Sequence, residues 1–192
     1  VPASGIAIGG VSAHRFVIVT PTSGTVGTAR IILTVQDSDL LTAQMSFVVT
    51  VQSAWQLMWP TSGFASGGAE ITISGGGFVR DEEYRYKCVF TATGPETLYS
   101  DAVATVDSPS QLRCTAPLWE YAAQVTEFSI TKGGNSVIAS AVGENALEQF
   151  RFVFVEAWST VTPTSALAVG GTEVTVSGAG FDDSSTEYSC LL

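Results

Sequence analysis

Three cysteines and a single histidine are the residues of this 192-residue chain that could act as nucleophiles, redox centres or zinc ligands. The cysteines, Cys88, Cys114 and Cys190, are far apart in the sequence, and no Cys-x-x-Cys pair occurs. A zinc site needs such ligands in a cluster, and a hydrolytic triad needs a histidine beside its nucleophile, whereas His14 stands alone. The sequence therefore predicts no catalytic residue, no metal site and no cofactor, and we expect a protein that is not an enzyme.

Two short acidic clusters raise the separate question of calcium, because carboxylate oxygens are the ligands that Ca²⁺ prefers. They are residues 81–83 (Asp-Glu-Glu) and residues 182–183 (Asp-Asp). Neither cluster has the spacing of an EF-hand loop, and a solvated loop in an acidic protein explains both equally well. The calcium interpretation and the solvated-loop interpretation both stay open.

The charge balance restricts the partners of the chain. With 8 basic and 18 acidic side chains, the formal net charge is −10. Such a chain repels phosphate backbones and offers no basic patch, so we expect no nucleic-acid partner. No apolar run approaches the roughly 18 residues that a membrane-spanning helix needs, so we expect no membrane span in this segment. The 45% of hydrophobic residues are then available for the cores of folded domains.

An internal repeat divides the sequence into modules. Residues 60–78 align with residues 163–181 without a gap, at an offset of 103 residues, and the same offset carries Trp55 onto Trp158. After one residue is dropped, the stretch that ends at Cys88 falls on the stretch that ends at Cys190. Self-similarity of this kind is the signature of tandem structural units, so one module is predicted to begin near Trp55 and another near Trp158.

The elements of these modules are predicted to be short β-strands. Residues 70–74 and 173–177 alternate apolar and polar side chains and are followed by glycines, as strands that end in turns do. Residues 150–155 and 47–51 are predicted to close the two preceding modules, and residues 15–20 and 29–35 are predicted to be further strands. Short strands separated by turns are typical of an antiparallel sandwich.

The central segment resembles a known family. The residues that carry the resemblance are Trp59-Pro60, Gly67-Gly68, the strand and turn of residues 71–78, Cys88-Val-Phe90 and Cys114-Thr-Ala-Pro117. Together they are similar to the IPT/TIG family, an immunoglobulin-like fold found in plexins, fibrocystin-like surface proteins, Rel-type transcription factors and some starch-acting enzymes. The resemblance covers residues 55–155 in full and residues 158–192 in part.

The resemblance implies an all-β fold of tandem immunoglobulin-like β-sandwich modules, one complete and two partial. We expect residues 1–52 to be the C-terminal part of an immunoglobulin-like or cadherin-like module. Residues 53–156 are expected to be the complete IPT/TIG-like module, and residues 157–192 the N-terminal part of a second one. On this division, further chain on either side is expected to complete the partial modules.

The resemblance also implies a pairing of cysteines. In the family the matching cysteines lie on neighbouring parts of the sandwich, which predicts a disulfide between Cys88 and Cys114, with two separate buried thiols as the alternative. Cys190 occupies the position of Cys88 in the second repeat. It is expected to be unpaired within this chain.

Four aromatic residues are candidate contacts. Trp55 and Trp158 precede the first strand of each module, where they are predicted either to pack the module junction or to lie in the module core. Trp119 and Tyr121 follow the Cys114 motif on a predicted loop. There they are candidates for stacking on a sugar or on a partner protein, and packing against their own module is the alternative.

These observations favour a structural or adhesive segment of a long extracellular or cell-surface protein, in a filament or a surface appendage. Its expected partners are other modules of the same chain and other protein chains in an assembly. The second hypothesis is an accessory carbohydrate-binding module of a secreted enzyme. The third, a Rel-like DNA-binding module, is disfavoured by the net charge of −10.

Overall fold

The computed structural model describes residues 5–11, 14–22, 25–94, 96–140, 150–185 and 187–191. The regular elements that can be given bounds in these ranges are β-strands. The strands fall into three groups along the chain, which lie before, within and after a central sandwich.

The first group consists of two antiparallel hairpins. Strands β1 (Ile6–Val11) and β2 (His14–Val19) form one of them, and β3 (Gly27–Gln36) and β4 (Thr42–Val51) form the other. The predicted strands at residues 15–20, 29–35 and 47–51 correspond to β2, β3 and the end of β4. Most side chains of this group are exposed, and Ile31 on β3 is the one that is fully buried within its described part.

The central sandwich contains two sheets. Its strands, in chain order, are β5 (Ala54–Trp59), β6 (Ser62–Phe64), β7 (Glu70–Gly76), β8 (Tyr86–Thr93), β9 (Thr97–Val103), β10 (Thr105–Ser108), β11 (Gln111–Thr115), β12 (Val125–Lys132), β13 (Asn135–Ser136), β14 (Ile138–Ala139) and β15 (Arg151–Val155). One sheet has the order β10-β11-β7-β5-β14, and the other has the order β6-β15-β12-β8-β9, with β13 paired to β12.

The alternating pattern of the sequence produces the core between these sheets. Ile71 and Ile73 on β7 point inward from one sheet, while Phe128 and Ile130 on β12 point inward from the other, and all four side chains are buried. Phe90 on β8 lies at the centre of an aromatic cluster, with its ring centroid 5.2–5.3 Å from those of Phe128, Phe152 and Phe154. Two sheets that bury their facing side chains in this way are the architecture of an immunoglobulin-like sandwich. The predicted all-β, immunoglobulin-like fold class is therefore confirmed, whereas the number of modules stays a prediction.

The third group is a hairpin that copies the start of the sandwich. Strands β16 (Ala157–Thr162) and β17 (Thr175–Ala179) are antiparallel, as are β5 and β7. Trp55 faces Gly75 in the β5–β7 pair, and Trp158 faces Gly178 in the β16–β17 pair. Each of these two strand pairs has a register shift directly after its tryptophan. The sequence repeat is thus also a repeat of strand register.

Candidate functional site: the disulfide and the module junctions

A disulfide joins the two sheets of the sandwich. It links Cys88 on β8 to Cys114 on β11, with the two Cα atoms 6.6 Å apart. Both cysteines are buried in the core and lie 26 residues apart in the sequence. The bond therefore ties the two layers together at their facing surfaces.

Cys190 is an exposed thiol that bonds to neither of the other cysteines. One aromatic contact near Cys88 recurs near Cys190. The rings of Phe181 and Tyr188 lie edge to face with centroids 5.7 Å apart, and the equivalent Phe78 and Tyr86 show the same separation of 5.7 Å.

The structure places Trp55 in the core of its own module and not at a junction. Only 1% of its surface is exposed, and its ring contacts Phe128 and Phe150 at centroid distances of 5.4 and 4.5 Å. Its indole N–H has no hydrogen-bond partner among the described residues. Of the two alternatives for Trp55, the structure has the side chain in the core, because this inward position on β5 is covered by Phe128 on β12 and by Phe150 directly before β15.

Trp158 is in a different environment although it holds the equivalent position. It exposes 70% of its surface and lines a groove with Val161 and Val176 on the apolar face of the β16–β17 hairpin. The equivalent face of β5–β7 is covered by the second sheet. The junction role of Trp158 therefore stays a prediction.

Trp119 and Tyr121 lie edge to face, with ring centroids 5.0 Å apart, but they differ in exposure. Trp119 is completely buried, its ring stacks on Phe154, and its indole N–H donates to the carbonyl of Ala122 at 3.0 Å. It therefore packs against its own module, which was one of its two predicted roles, and it has no exposed face for a sugar. Tyr121 is 38% exposed and lines a cleft of 570 Å³ between the sandwich and the β16–β17 hairpin.

The first junction joins β4 to β5 through two linker residues, Gln52 and Ser53. The hydroxyl of Ser53 donates to the carbonyl of Gly77 at 2.7 Å and lies 3.5 Å from the hydroxyl of Tyr86. Gly77 has a φ of +77°, and a Cβ added there would lie 2.5 Å from Val26 of the preceding group. Gly77 is thus in close contact with both the linker and the preceding group.

The second junction uses the equivalent residues, with the single linker residue Glu156 between β15 and β16. Gly180, which is equivalent to Gly77, has a φ of +82°, and a Cβ added there would lie 2.6 Å from the Cβ of Ala65. The N–H of Ala123 in the sandwich donates to the carbonyl of Gly180 at 2.8 Å. A backbone hydrogen bond therefore connects the sandwich directly to the hairpin.

A tyrosine hydroxyl recurs at both junctions. The N–H of Val79 donates to Tyr86 at 3.4 Å, and the N–H of the equivalent Asp182 donates to Tyr188 at 2.7 Å. The Tyr188 hydroxyl in turn donates to the carboxylate of Glu156 at 2.5 Å. This hydrogen bond to Glu156 is the main reason that the pKa of Tyr188 is raised, since the bond holds the phenol proton.

The acidic loops use their carboxylates within their own turns. Asp81 accepts hydrogen bonds from the N–H groups of Glu83 and Tyr84, and Asp182 accepts from the N–H and hydroxyl of Ser184. These bonds lower the pKa of both aspartates, with the Tyr84 N–H first for Asp81 and the Ser184 hydroxyl first for Asp182. Lys132 also pairs with Asp81 at 3.2 Å. No group of three or more histidine, cysteine or acidic residues suited to a metal occurs in the part of the chain that the structure describes.

Two surface features were not found by sequence reasoning. Trp59 exposes 75% of its surface, on β5 directly before Pro60, and the equivalent residue in the repeat is Thr162. Asp101 on β9 accepts hydrogen bonds from Tyr99 at 2.5 Å and from Lys87 at 3.0 Å. The sequence held one signal for the exposed position of Trp59, namely that the repeat has a threonine there and not a tryptophan. His14, the lone histidine of the sequence, is solvent-exposed on β2.

No helix long and apolar enough for a membrane span occurs in the residues that the structure describes. The sequence profile of the IPT/TIG domain matches residues 56–145. No curated protein matches the chain. Among solved structures, the full extracellular region of plexin A4, domains 1 to 8, is similar at 12% sequence identity and a TM-score of 0.35. That similarity covers 78% of this chain and 28% of the plexin chain.

Proposed function

We propose that the chain, whose residues 56–145 match the IPT/TIG family model, is a structural or adhesive segment of an extracellular multi-module protein. In such a protein, successive immunoglobulin-like modules act as spacers or contact surfaces and carry no catalytic site. Arranged end to end, they would suit a filament or a cell-surface appendage.

One observation carries this proposal. The hairpin that opens the sandwich recurs after a single linker residue, Glu156, with the same strand register and the same glycine at the junction. Short linkers and repeated junction contacts limit the freedom of one module relative to the next, whereas independent binding modules are usually joined by flexible linkers. This arrangement favours a spacer.

Two further properties support an extracellular location and protein partners. The disulfide between Cys88 and Cys114 belongs to the kind of bond that persists in oxidising compartments and is rare in the cytosol. The net charge of −10 disfavours nucleic acid as a partner.

Secretion tests the location. The 192-residue chain is produced in cultured animal cells behind a secretion signal, and the medium is examined by non-reducing peptide mapping. We expect secreted chain with Cys88 bonded to Cys114. Secreted chain that carries both residues as free thiols would contradict the extracellular assignment.

A second candidate function is carbohydrate binding, and the cleft at Tyr121 is the observation that favours it. The exposed phenol ring could stack on a sugar, and the neighbouring Glu120 and Asp183 could accept hydrogen bonds from its hydroxyls. Titration calorimetry of the chain against soluble polysaccharides distinguishes the two functions.

For a structural segment we expect no saturable heat in that titration. Saturable binding that Tyr121→Ala abolishes would replace the structural proposal with the carbohydrate one. Tyr99→Ala is the matched control, because Tyr99 is a similarly exposed tyrosine on a strand that does not line this cleft.

A further inference from the structure

The surface of the sandwich beneath the β16–β17 hairpin is built from residues whose positions are fixed by hydrogen bonds. The N–H of Ala65 donates to the carbonyl of Val155 at 2.7 Å, and the carbonyl of Ala65 accepts from the N–H of Trp119 at 2.8 Å. Ala65 is thereby held against the last strand of the sandwich, directly before the linker. Its side chain has no exposed surface.

The adjoining loop is held by Trp119. The carbonyl of Ala122 accepts hydrogen bonds from the indole of Trp119 at 3.0 Å and from the side-chain amide of Gln124 at 3.2 Å. These two bonds fix the peptide unit that joins Ala122 to Ala123. The N–H of Ala123 belongs to that unit and points out of the sandwich to the carbonyl of Gly180.

Gly180 fits this surface because it has no side chain. An added Cβ would lie 2.6 Å from the Cβ of Ala65 and 3.3 Å from that of Ala123, and the first distance is too short for two carbon atoms. The positive φ of Gly180 also favours glycine. Gly180 is buried in this contact.

The first junction uses the same glycine of the repeat. The carbonyl of Gly77 accepts from the hydroxyl of Ser53, and its Cα lies against the side chain of Val26. At each junction, then, the second glycine of the Gly-x-Gly-Phe turn accepts a hydrogen bond through its carbonyl and packs against an apolar side chain of the preceding group.

We propose that Ala65, Trp119 and Ala123 form a docking seat for a following IPT/TIG-like module, which binds through the second glycine of its Gly-x-Gly-Phe turn. In this chain the docked residue is Gly180. The seat accepts a turn with no Cβ, a left-handed φ and a free carbonyl, and it excludes a module with any other residue there. Trp119 acts as a positioning residue, because it reaches Gly180 only through the Ala122–Ala123 peptide.

The inference goes beyond the proposed function, since such a seat would join modules in a carbohydrate-binding chain as well as in a structural one. Its test therefore uses neither secretion nor ligand binding. Amide hydrogen exchange and ¹⁵N relaxation are measured by NMR on the whole 192-residue chain. For the unaltered chain we expect a protected Ala123 amide and one rotational correlation time for residues 53–140 and 157–181.

The first variant is Gly180→Ala, with Gly171→Ala as its control. Gly171 has a similar φ of +78°, but an added Cβ there would meet nothing within 4 Å. We expect exchange at Ala123 to rise at least about fivefold in Gly180→Ala, which corresponds to one net backbone hydrogen bond, and to stay unchanged in Gly171→Ala. Equal exchange rates in the two variants, or a hairpin that tumbles independently in the unaltered chain, would overturn the proposal.

Two more variants keep the test decisive if Gly180→Ala unfolds the hairpin. Adding Ala65→Gly removes the colliding methyl group, so the double variant should recover much of the protection at Ala123, and no recovery would contradict the seat. Trp119→Phe keeps an aromatic ring against Phe154 but loses the indole N–H. Trp119→Phe should raise hydrogen exchange at the Ala123 amide while the amides of β12 keep their protection. If Trp119 only stabilised the sandwich as a whole, exchange would rise at both places alike.

Discussion

The ring of Trp119 stacks on the ring of Phe154, with centroids 4.8 Å apart and planes inclined by only 9°. Phe154 lies on β15, two residues before the linker Glu156. The stacked pair thus anchors the loop of residues 119–124 to the strand that leads out of the sandwich. Trp119, which the sequence offered as a candidate surface contact, therefore supports the loop at the second junction.

Replacement of Trp119 by alanine should strongly destabilise the sandwich. The change removes a completely buried indole and leaves a cavity beside Phe154, so we expect the free energy of unfolding to fall by about 3–5 kcal/mol. Urea denaturation followed by circular dichroism gives the value. Tyr121→Ala on the same loop should cost less than about 1 kcal/mol, and equal losses for the two variants would contradict the assigned burial.

The repeat provides a matched pair at Trp55 and Trp158. Trp55→Ala should lower the free energy of unfolding by about 3–5 kcal/mol, because the ring is enclosed by Phe128 and Phe150. Trp158→Ala removes a ring that is mostly exposed and should change stability by no more than about 0.5 kcal/mol. Chemical denaturation of both variants checks this difference, and a larger loss at Trp158 would show that the environments of the two residues are assigned wrongly.

Loss of the disulfide should weaken the sandwich without altering its fold. Closure of a 26-residue stretch restricts the unfolded chain, and the chain-entropy relation gives about 3.5 kcal/mol for the double variant Cys88→Ala/Cys114→Ala. Thermal unfolding in the absence of reductant measures the loss. Cys190→Ala is the control and should leave the transition in place, because Cys190 is exposed and outside the bond.

Gly75 and Gly76 should respond differently to the same substitution. A Cβ at Gly75 would collide with the carbonyl oxygen of Ala54 and lie 2.8 Å from the Cα of Trp55, whereas a Cβ at Gly76 would meet nothing within 4 Å. Gly75→Ala should therefore cost about 1–3 kcal/mol, through strain between β5 and β7. Gly76→Ala should stay within about 0.5 kcal/mol of the unaltered chain, and denaturation midpoints that coincide would refute the collision.

The hydrogen-bonded carboxylate of Asp101 should make stability depend on pH. The hydrogen bond from Tyr99 and the ion pair with Lys87 hold the pKa of Asp101 below its usual value of 3.8. Because the folded-state pKa is lowered, this contribution is present above the unfolded-state value and is lost as the pH falls through the folded-state pKa.

We therefore expect Asp101→Asn to be less stable than the unaltered chain at pH 6, with the difference shrinking below about pH 4. Denaturation at several pH values gives the profile. Glu120→Gln, which removes a solvent-exposed carboxylate elsewhere on the sandwich, is the control variant. A difference for Asp101→Asn that is constant from pH 6 to pH 3 would contradict the lowered pKa.

Much of the fold could be predicted because strand alternation and the internal repeat are visible directly in the sequence. The offset of 103 residues predicted a strand at residues 173–177, and the structure has β17 at Thr175–Ala179, in the same register with β16 as β7 has with β5. Strand β16 itself was not predicted, because Trp158 was expected to precede the first strand. Strand β1 was not predicted, because its consecutive glycines interrupt the pattern of side chains that indicates a strand. One of them, Gly9, lies beneath the ring of Phe16 on β2, which covers the position of the missing side chain.

The role of each aromatic residue could not be predicted in the same way, since it depends on what lies opposite in space. Trp55 and Trp158 have the same place in the repeat, yet only Trp55 is covered by a second sheet. Trp119 lies outside any strand, and its burial follows from Phe154, which is distant in the sequence. The sequence assigns the junction glycines to turns with close backbone approach. It does not indicate that they pack against a preceding group of strands, because a contact between separate groups leaves no local pattern.

The pairing of β15 with β6 has a mechanical consequence. The two strands are parallel, with Val153 beside Ser62 and Val155 beside Phe64, and their neighbourhood includes hydrogen bonds from Val153 to Thr61 and from Ala65 to Val155. The chain enters the sandwich through β5, which leads into the start of β6, and it leaves the sandwich at the end of β15. Tension along the chain therefore pulls β6 and β15 in opposite directions along their length. The hydrogen bonds between the two strands are then loaded together in shear, and they do not break one at a time.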